Sequence, residues 1–255
     1  MKKRFKKIAK WVVLAIIAVI IVAAIGFKIY TQGYYKADME TITAIETRLE
    51  ASVNSYSDEN GTVFLPEASV PRAVIVFYPG GKVEYKAYSG LMYEIASRGY
   101  ICILPRMPEN LAFLRINAVE KITAKYTADV DSVKNLDWYI AGHSLGGVAA
   151  SLYLEDKTDE YAGIILCASY PNADFSDKDI RLLSIYGAED GVIKADAYEN
   201  SKAYWPKDSE EYIIEGGIHS YFGCYGIQNG DGTPKISNTE QIAETADMIA
   251  AWIDD

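Results

Sequence analysis

The sequence predicts an α/β protein with a mostly parallel sheet and helices on both faces. Three observations lead there. The runs at 73–78 (AVIVFY), 100–104 (YICIL) and 161–168 (YAGIILCA) are apolar without alternation, as strands covered on both faces require. Between them stand segments whose apolar residues recur every three or four positions, the spacing of helices that pack by one face. Strand-like and helix-like stretches then alternate to the end of the chain, the order of parallel strands joined by helical crossovers.

The elements follow in order. Residues 11–27 are 17 residues without a charge, about 26 Å as a helix, and Ile8, Ala9 and Ile29 can extend the run toward a hydrocarbon thickness of about 30 Å. Six basic residues precede it (Lys2, Lys3, Arg4, Lys6, Lys7 and Lys10). The expectation is an uncleaved single-pass anchor with its amino end in the cytoplasm and the rest outside. A cleaved signal peptide, with Ala24-Ile25-Gly26 as a small-x-small site, is the alternative, and the length of the run weighs against it. After a polar linker at 31–37, Asp38 can cap a helix carrying Met39, Ile42, Ile45 and Leu49 on one face. Residues 52–61 read as turns and 62–65 as a short strand. The strand at 73–78 leads to a helix over 85–98, stopped by Gly99, and then to the strand at 100–104. Residues 111–126 are helical by spacing, 137–141 a strand and 148–154 a helix. Strands at 161–168, 181–186 and 211–215 enclose a helix at 194–205. A helix at 239–253, capped by Asn238 or Ser237, closes the chain. The expected parts are a basic tail and anchor at 1–30, a linker and amphipathic helix at 31–60, and the α/β domain at 61–255.

Charge excludes one class of partner. Beyond residue 30 the chain carries 18 Lys and Arg against 35 Asp and Glu, a net of −17, which repels nucleic acid. Cys102 and Cys167 fall in strand runs and Cys224 in a loop; one pair among the three is open. No CxxC or Cys/His cluster suggests a metal, so no metal and no cofactor are expected.

The chemistry gathers at four loops. Gly142-His143-Ser144-Leu145-Gly146 fits G-x-S-x-G between a strand and a helix. A sharp turn there exposes the Ser144 hydroxyl at the carboxyl edge of the sheet, and the small flanking residues let backbones approach. The Leu145 amide opens the helix and points at the same space, where it can hold an oxyanion. A serine needs a base to act as a nucleophile. His143 is expected to point away, because neighbours on a strand face opposite sides. That leaves His219, in Glu215-Gly216-Gly217-Ile218-His219-Ser220 after the last strand. The carboxylate that orients it is expected to be Asp190, in the Gly-rich turn after 181–186, with Glu189 as runner-up and Asp174, Asp177 and Asp196 behind. A second oxyanion donor is expected from Tyr78-Pro79-Gly80-Gly81-Lys82-Val83: the Gly81 amide, with Lys82 as alternative.

Taken together, FYPGGKV, RGYICILPRMPENLAF, AGHSLGG, IYGAEDGVI and GGIHSYFGCYG followed by GDG resemble a serine hydrolase of the α/β-hydrolase superfamily. The likeness covers residues 73–253 and is nearest to a small single-domain branch related to dienelactone hydrolases. It implies a triad of Ser144, Asp190 and His219, an oxyanion hole at Gly81 and Leu145, and a small-molecule carboxylic ester as substrate. The sequence departs from the dienelactone hydrolases in having serine where they have cysteine, so their substrate is not carried over. It also has Pro79 where many lipases and esterases have the histidine of a His-Gly loop. About a dozen residues separate the strands ending at 168 and starting at 181, room for a loop and no large lid, so an open site is expected. Tyr85, Tyr88, Tyr170, Tyr221 and Phe222 are expected near its mouth. Transfer of the acyl group to an alcohol, and a surface binding protein that keeps the fold without turnover, are the alternatives.

Overall fold

The computed structural model describes residues 2–126, 133 and 135–255. The chain forms two compact units, residues 1–34 and 35–255.

The first unit is one helix, α1 (Lys2–Gln32). It contains the one helix among the described residues long and apolar enough to cross a membrane, 29 residues over Arg4–Gln32 with a mean hydropathy of 3.0 and none of its apolar window buried. A helix apolar on every side has no face to prefer within a soluble fold.

The second unit is an eight-stranded sheet: β1 (Val53–Asp58), β2 (Gly61–Pro66), β3 (Ala73–Tyr78), β4 (Ile101–Pro105), β5 (Asp137–His143), β6 (Gly163–Cys167), β7 (Arg181–Gly187) and β8 (Asp208–Ile214). Their order is β1-β2-β4-β3-β5-β6-β7-β8. β1 and β2 pair antiparallel, as do β2 and β4; every other pair is parallel. The continuous apolar runs occupy the centre and are buried throughout. In β3, Ile75 and Phe77 join the core on one face with Leu91, Ile95 and Ile249, while Val74 and Val76 join the other with Ile122, Ala149 and Leu154. The first face is covered by α2 (Met39–Leu49), α3 (Ser89–Ser97) and α7 (Asn238–Asp254), the second by α4 (Ala118–Tyr126) and α5 (Leu145–Leu154); α6 (Ala195–Ser201) meets β7 through the Tyr198 and Ser184 hydroxyls, 2.7 Å apart. The expected architecture is thus present: a mostly parallel sheet, helices on both faces and no large additional domain. The connection from β6 to β7 holds turns alone.

Three local expectations need correction, and one alternative is decided. Residues 52–61 are not all turn, because β1 occupies 53–58. Its polar residues VNSYSD favour turns locally, but pairing with β2 satisfies the backbone, and an edge strand tolerates an exposed face. The turn is only Glu59-Asn60, with the Asp58 carboxylate accepting the Asn60 amide at 2.7 Å. The helix expected over 85–98 begins as a 3-10 turn, Tyr85–Tyr88, before α3. The one expected over 111–126 is split into the short turn Ala112–Leu114 and α4. In α7 the cap is Ser237, in a reciprocal capping box with Glu240. The Asn238 side-chain amide instead donates to the Tyr221 and Gly223 carbonyls at 3.1 and 3.0 Å. The three cysteines are all free and buried.

Candidate active site

The candidate residues come from loops at the carboxyl ends of β3, β5, β7 and β8, where an open parallel sheet leaves a crevice. Ser144 follows β5 directly and caps α5 at φ 51°, ψ −125°, a conformation an L-residue holds only when its surroundings impose it. Those surroundings are visible. The Ser144 amide donates to the Cys167 carbonyl at 3.0 Å, and its carbonyl accepts the amides of Gly147 and Val148. The Ser169 hydroxyl donates to the same carbonyl at 2.7 Å. A methyl group on Gly146 would collide with the Tyr78 and Pro79 carbonyls, and one on Gly142 with the backbone of Gly146 and Gly147. The glycines of the motif are therefore steric requirements of this turn.

His219 opens a 3-10 turn, His219–Phe222, after β8. Its Nδ1–H donates to Asp190 Oδ2 at 2.8 Å, and the side chains are 2% and 1% exposed. The other oxygen of Asp190 accepts the amides of Val192 and Ile193 at 2.8 and 2.9 Å, which fixes the carboxylate plane. With Nδ1 as donor, Nε2 of the neutral ring carries the basic lone pair. Nε2 is buried and has no hydrogen-bond partner among the described residues. An orphaned buried nitrogen costs free energy unless something else requires it.

The other acids lie elsewhere. Glu189 pairs with Lys235, Asp174 accepts from Ser176 on the surface, and Asp177 and Asp196 are exposed. In the loop after β3, the Gly80 amide donates to the Tyr88 hydroxyl at 3.0 Å and the Lys82 amide to the Asn110 carbonyl at 2.8 Å. The amides of Gly81 and Leu145 have no acceptor among the described residues. Gly81 lies against Leu145; a Cβ there would stand 3.2 Å from the Leu145 Cβ and closer still to Cδ2. The loop after β3 thus meets the start of α5, with the Lys82 amide already committed to the Asn110 carbonyl.

His143 keeps the alternation of β5: its ring lies with Tyr88 and Phe222 on the face that Tyr139 and Ala141 also enter. That places it 4.7 Å from the ring of His219, centroid to centroid. Burial, and then the neighbouring His219, hold its pKa well below the ordinary value. Tyr88 and Phe222, expected at the mouth, are fully buried, and Tyr85 nearly so; His143 rests between Tyr88 and Phe222. Tyr170 and Tyr221 remain partly exposed.

Asp231 is the carboxylate that the sequence did not single out. Its two oxygens accept the amides of Gly191, His219, Ser220 and Gly232 and the Ser220 hydroxyl. Burial acts to raise its pKa, and these hydrogen bonds outweigh it and hold the carboxyl below its usual range. The glycines around it in GDG were the only local signal. Among the described residues no group of three or more His, Cys, Asp or Glu could hold a metal ion.

A sequence model of the alpha/beta hydrolase family matches residues 74–243, from β3 into α7. The chain belongs to the alpha/beta hydrolase family. No curated protein matches it. Membership supports hydrolase chemistry in general on a small-molecule substrate, and it is the geometry of this hydrolase's own loops that bears on the reaction.

Proposed function

We propose that this protein is a serine hydrolase of carboxylic esters, held to a membrane by α1 with residues 35–255 on the extracytoplasmic side. One observation carries the reading: a buried His219–Asp190 pair leaves an unpartnered imidazole nitrogen, on a ring 4.7 Å from that of His143, the residue before the strained Ser144.

Ser144 Oγ attacks the ester carbonyl carbon while its proton passes to His219 Nε2. The charge on the carbonyl oxygen is met by the amides of Gly81 and Leu145, which need no reorganisation because no described residue accepts from them. Asp190 holds the imidazole in its Nδ1–H tautomer and stabilises the imidazolium. As the tetrahedral adduct collapses, the C–O bond to the alcohol breaks and the alcohol leaves with the proton from His219. Water, deprotonated by the same nitrogen, attacks the acyl-serine; its collapse releases the carboxylic acid and returns the proton to Ser144. The turn-only connection after β6 supports an open site, suited to short or accessible acyl groups.

The test is hydrolysis of p-nitrophenyl butyrate by the full chain in detergent micelles. Ser144→Ala is expected to lower kcat at least about 10⁴-fold with thermal unfolding unchanged. A folded variant that keeps its turnover contradicts the reading. The anchor is tested by alkaline carbonate extraction of membranes: the full chain stays in the pellet, whereas release of a chain beginning near residue 26 indicates a cleaved signal peptide.

A further inference from the structure

Both backbone polar groups of His219 are held by side chains that take no part in the reaction sequence above. Its amide donates to Asp231 Oδ1 at 3.1 Å. Its carbonyl accepts from His143 Nε2 at 3.0 Å. Asp231 Oδ1 also takes the amide of Gly191, the residue after Asp190, at 3.3 Å. On the far side of His143, Nδ1 meets the Tyr88 hydroxyl at 2.8 Å, and that hydroxyl accepts the Gly80 amide at 3.0 Å.

The proton directions follow from the groups. A carbonyl only accepts, so His143 Nε2 carries its proton. On a neutral ring Nδ1 is then the acceptor, so the Tyr88 hydroxyl donates to it while its oxygen accepts the Gly80 amide. Gly80 N–H, Tyr88 O–H and His143 N–H then run in one sense from the loop after β3 to the carbonyl of His219. This requires a neutral His143, consistent with its complete burial.

We infer that His143 and Asp231 are positioning residues. They set His219 against Ser144 through the main chain of His219, and Tyr88 extends the same frame to the loop bearing Gly81. The alternative is that His143 only fills space between Tyr88 and Phe222. Against it, an imidazole is a costly filler: an aliphatic or aromatic side chain would occupy the volume without needing partners for two ring nitrogens. His219 also needs such a frame. It stands in a four-residue 3-10 turn with no side-chain cap, beyond Gly216 and Gly217. A misplacement of about 1 Å at a reacting group costs on the order of 100-fold in rate.

The inference rests on Ser144, Asp190 and His219 being the reacting set, and the experiment separates the two claims. Full-chain His143→Gln and His143→Asn are compared with the wild type on p-nitrophenyl butyrate. Both variants lose the ring, but only glutamine carries an N–H out to where Nε2 met the His219 carbonyl; asparagine stops at the position of Nδ1. The glutamine variant is expected to keep a kcat at least about tenfold above the asparagine variant, with KM equal within about twofold. Equal kcat values, or a change in KM alone, overturn the inference. Should either variant fail to fold, Tyr88→Phe removes a single hydroxyl and Asp231→Asn a single charge. Each is expected to lower kcat at least about fivefold at constant KM, and an unchanged kcat in both overturns it. Ser144→Ala run alongside tells the failures apart: persistent hydrolysis there sinks the reacting set, whereas its loss beside indifferent variants at 143, 88 and 231 sinks the positioning role alone.

Discussion

The two ends of the sheet's construction differ in how their backbone is held. Among the described residues, five that are not glycine have positive φ: Lys82, Glu109, Asn110, Ser144 and Ala168. All five lie just past the carboxyl ends of β3, β4, β5 and β6. The β1–β2 hairpin at the sheet's margin has none; its turn uses Gly61 at φ 152° and the Asp58 side chain. Each strained residue costs on the order of 1–3 kcal/mol and persists only where its surroundings over-determine it. In the hairpin, β1 is largely exposed while β2 is mostly buried, and the one positive φ of its turn falls on a glycine. The carboxyl edge is strained and held by specific bonds, and the candidate site is there.

The first way to break this contrast is to remove function without disturbing shape. Asp190→Asn retains an oxygen for the Val192 and Ile193 amides but no longer fixes the His219 tautomer. Ester hydrolysis is expected to fall on the order of 10⁴-fold while the melting temperature stays near that of the wild type. The second is to disturb the packing that imposes the strain. Gly146→Ala drives a methyl group into the Tyr78 and Pro79 carbonyls, so chemical denaturation should show a loss of about 3 kcal/mol or more together with loss of activity.

How far the contrast could be read beforehand depends on where each residue's partner sits in the chain. β3 is legible because both of its faces are buried, so AVIVFY carries its environment in its own composition. β1 is not, because VNSYSD becomes a strand only by pairing with β2. Ser144 and its glycines are legible because the turn is local and its steric demands fall on adjacent positions. Asp190 and His219 are found from chemistry and strand rank. His143 follows the strand alternation, but its partner, the His219 carbonyl, is 76 positions away. Tyr88 and Asp231 act on residues 55 and 12 positions away, and no local pattern records such bonds.

The third prediction sharpens the contrast by relieving strain. Ser144→Gly admits φ 51° without a Cβ, so the inactive variant is expected to be about 1 kcal/mol more stable, net of the greater freedom of glycine when unfolded. For a unit of this size that is a rise of about 2–4 °C in Tm by calorimetry. The smallest effect belongs to the hairpin. Tyr56→Thr, on the exposed side of β1, is expected to change stability by no more than about 0.5 kcal/mol and to leave kcat and KM unchanged. A large effect there would place the hairpin in the working part of the molecule.

The most direct measurement is covalent. The full chain is treated with a fluorophosphonate, digested, and the adduct mapped by mass spectrometry. One equivalent on the peptide containing Ser144 is predicted, lost in Ser144→Ala and slowed at least about 1,000-fold in His219→Ala. A folded wild-type protein that takes up no label, or one labelled on another residue with Ser144 untouched, contradicts the account.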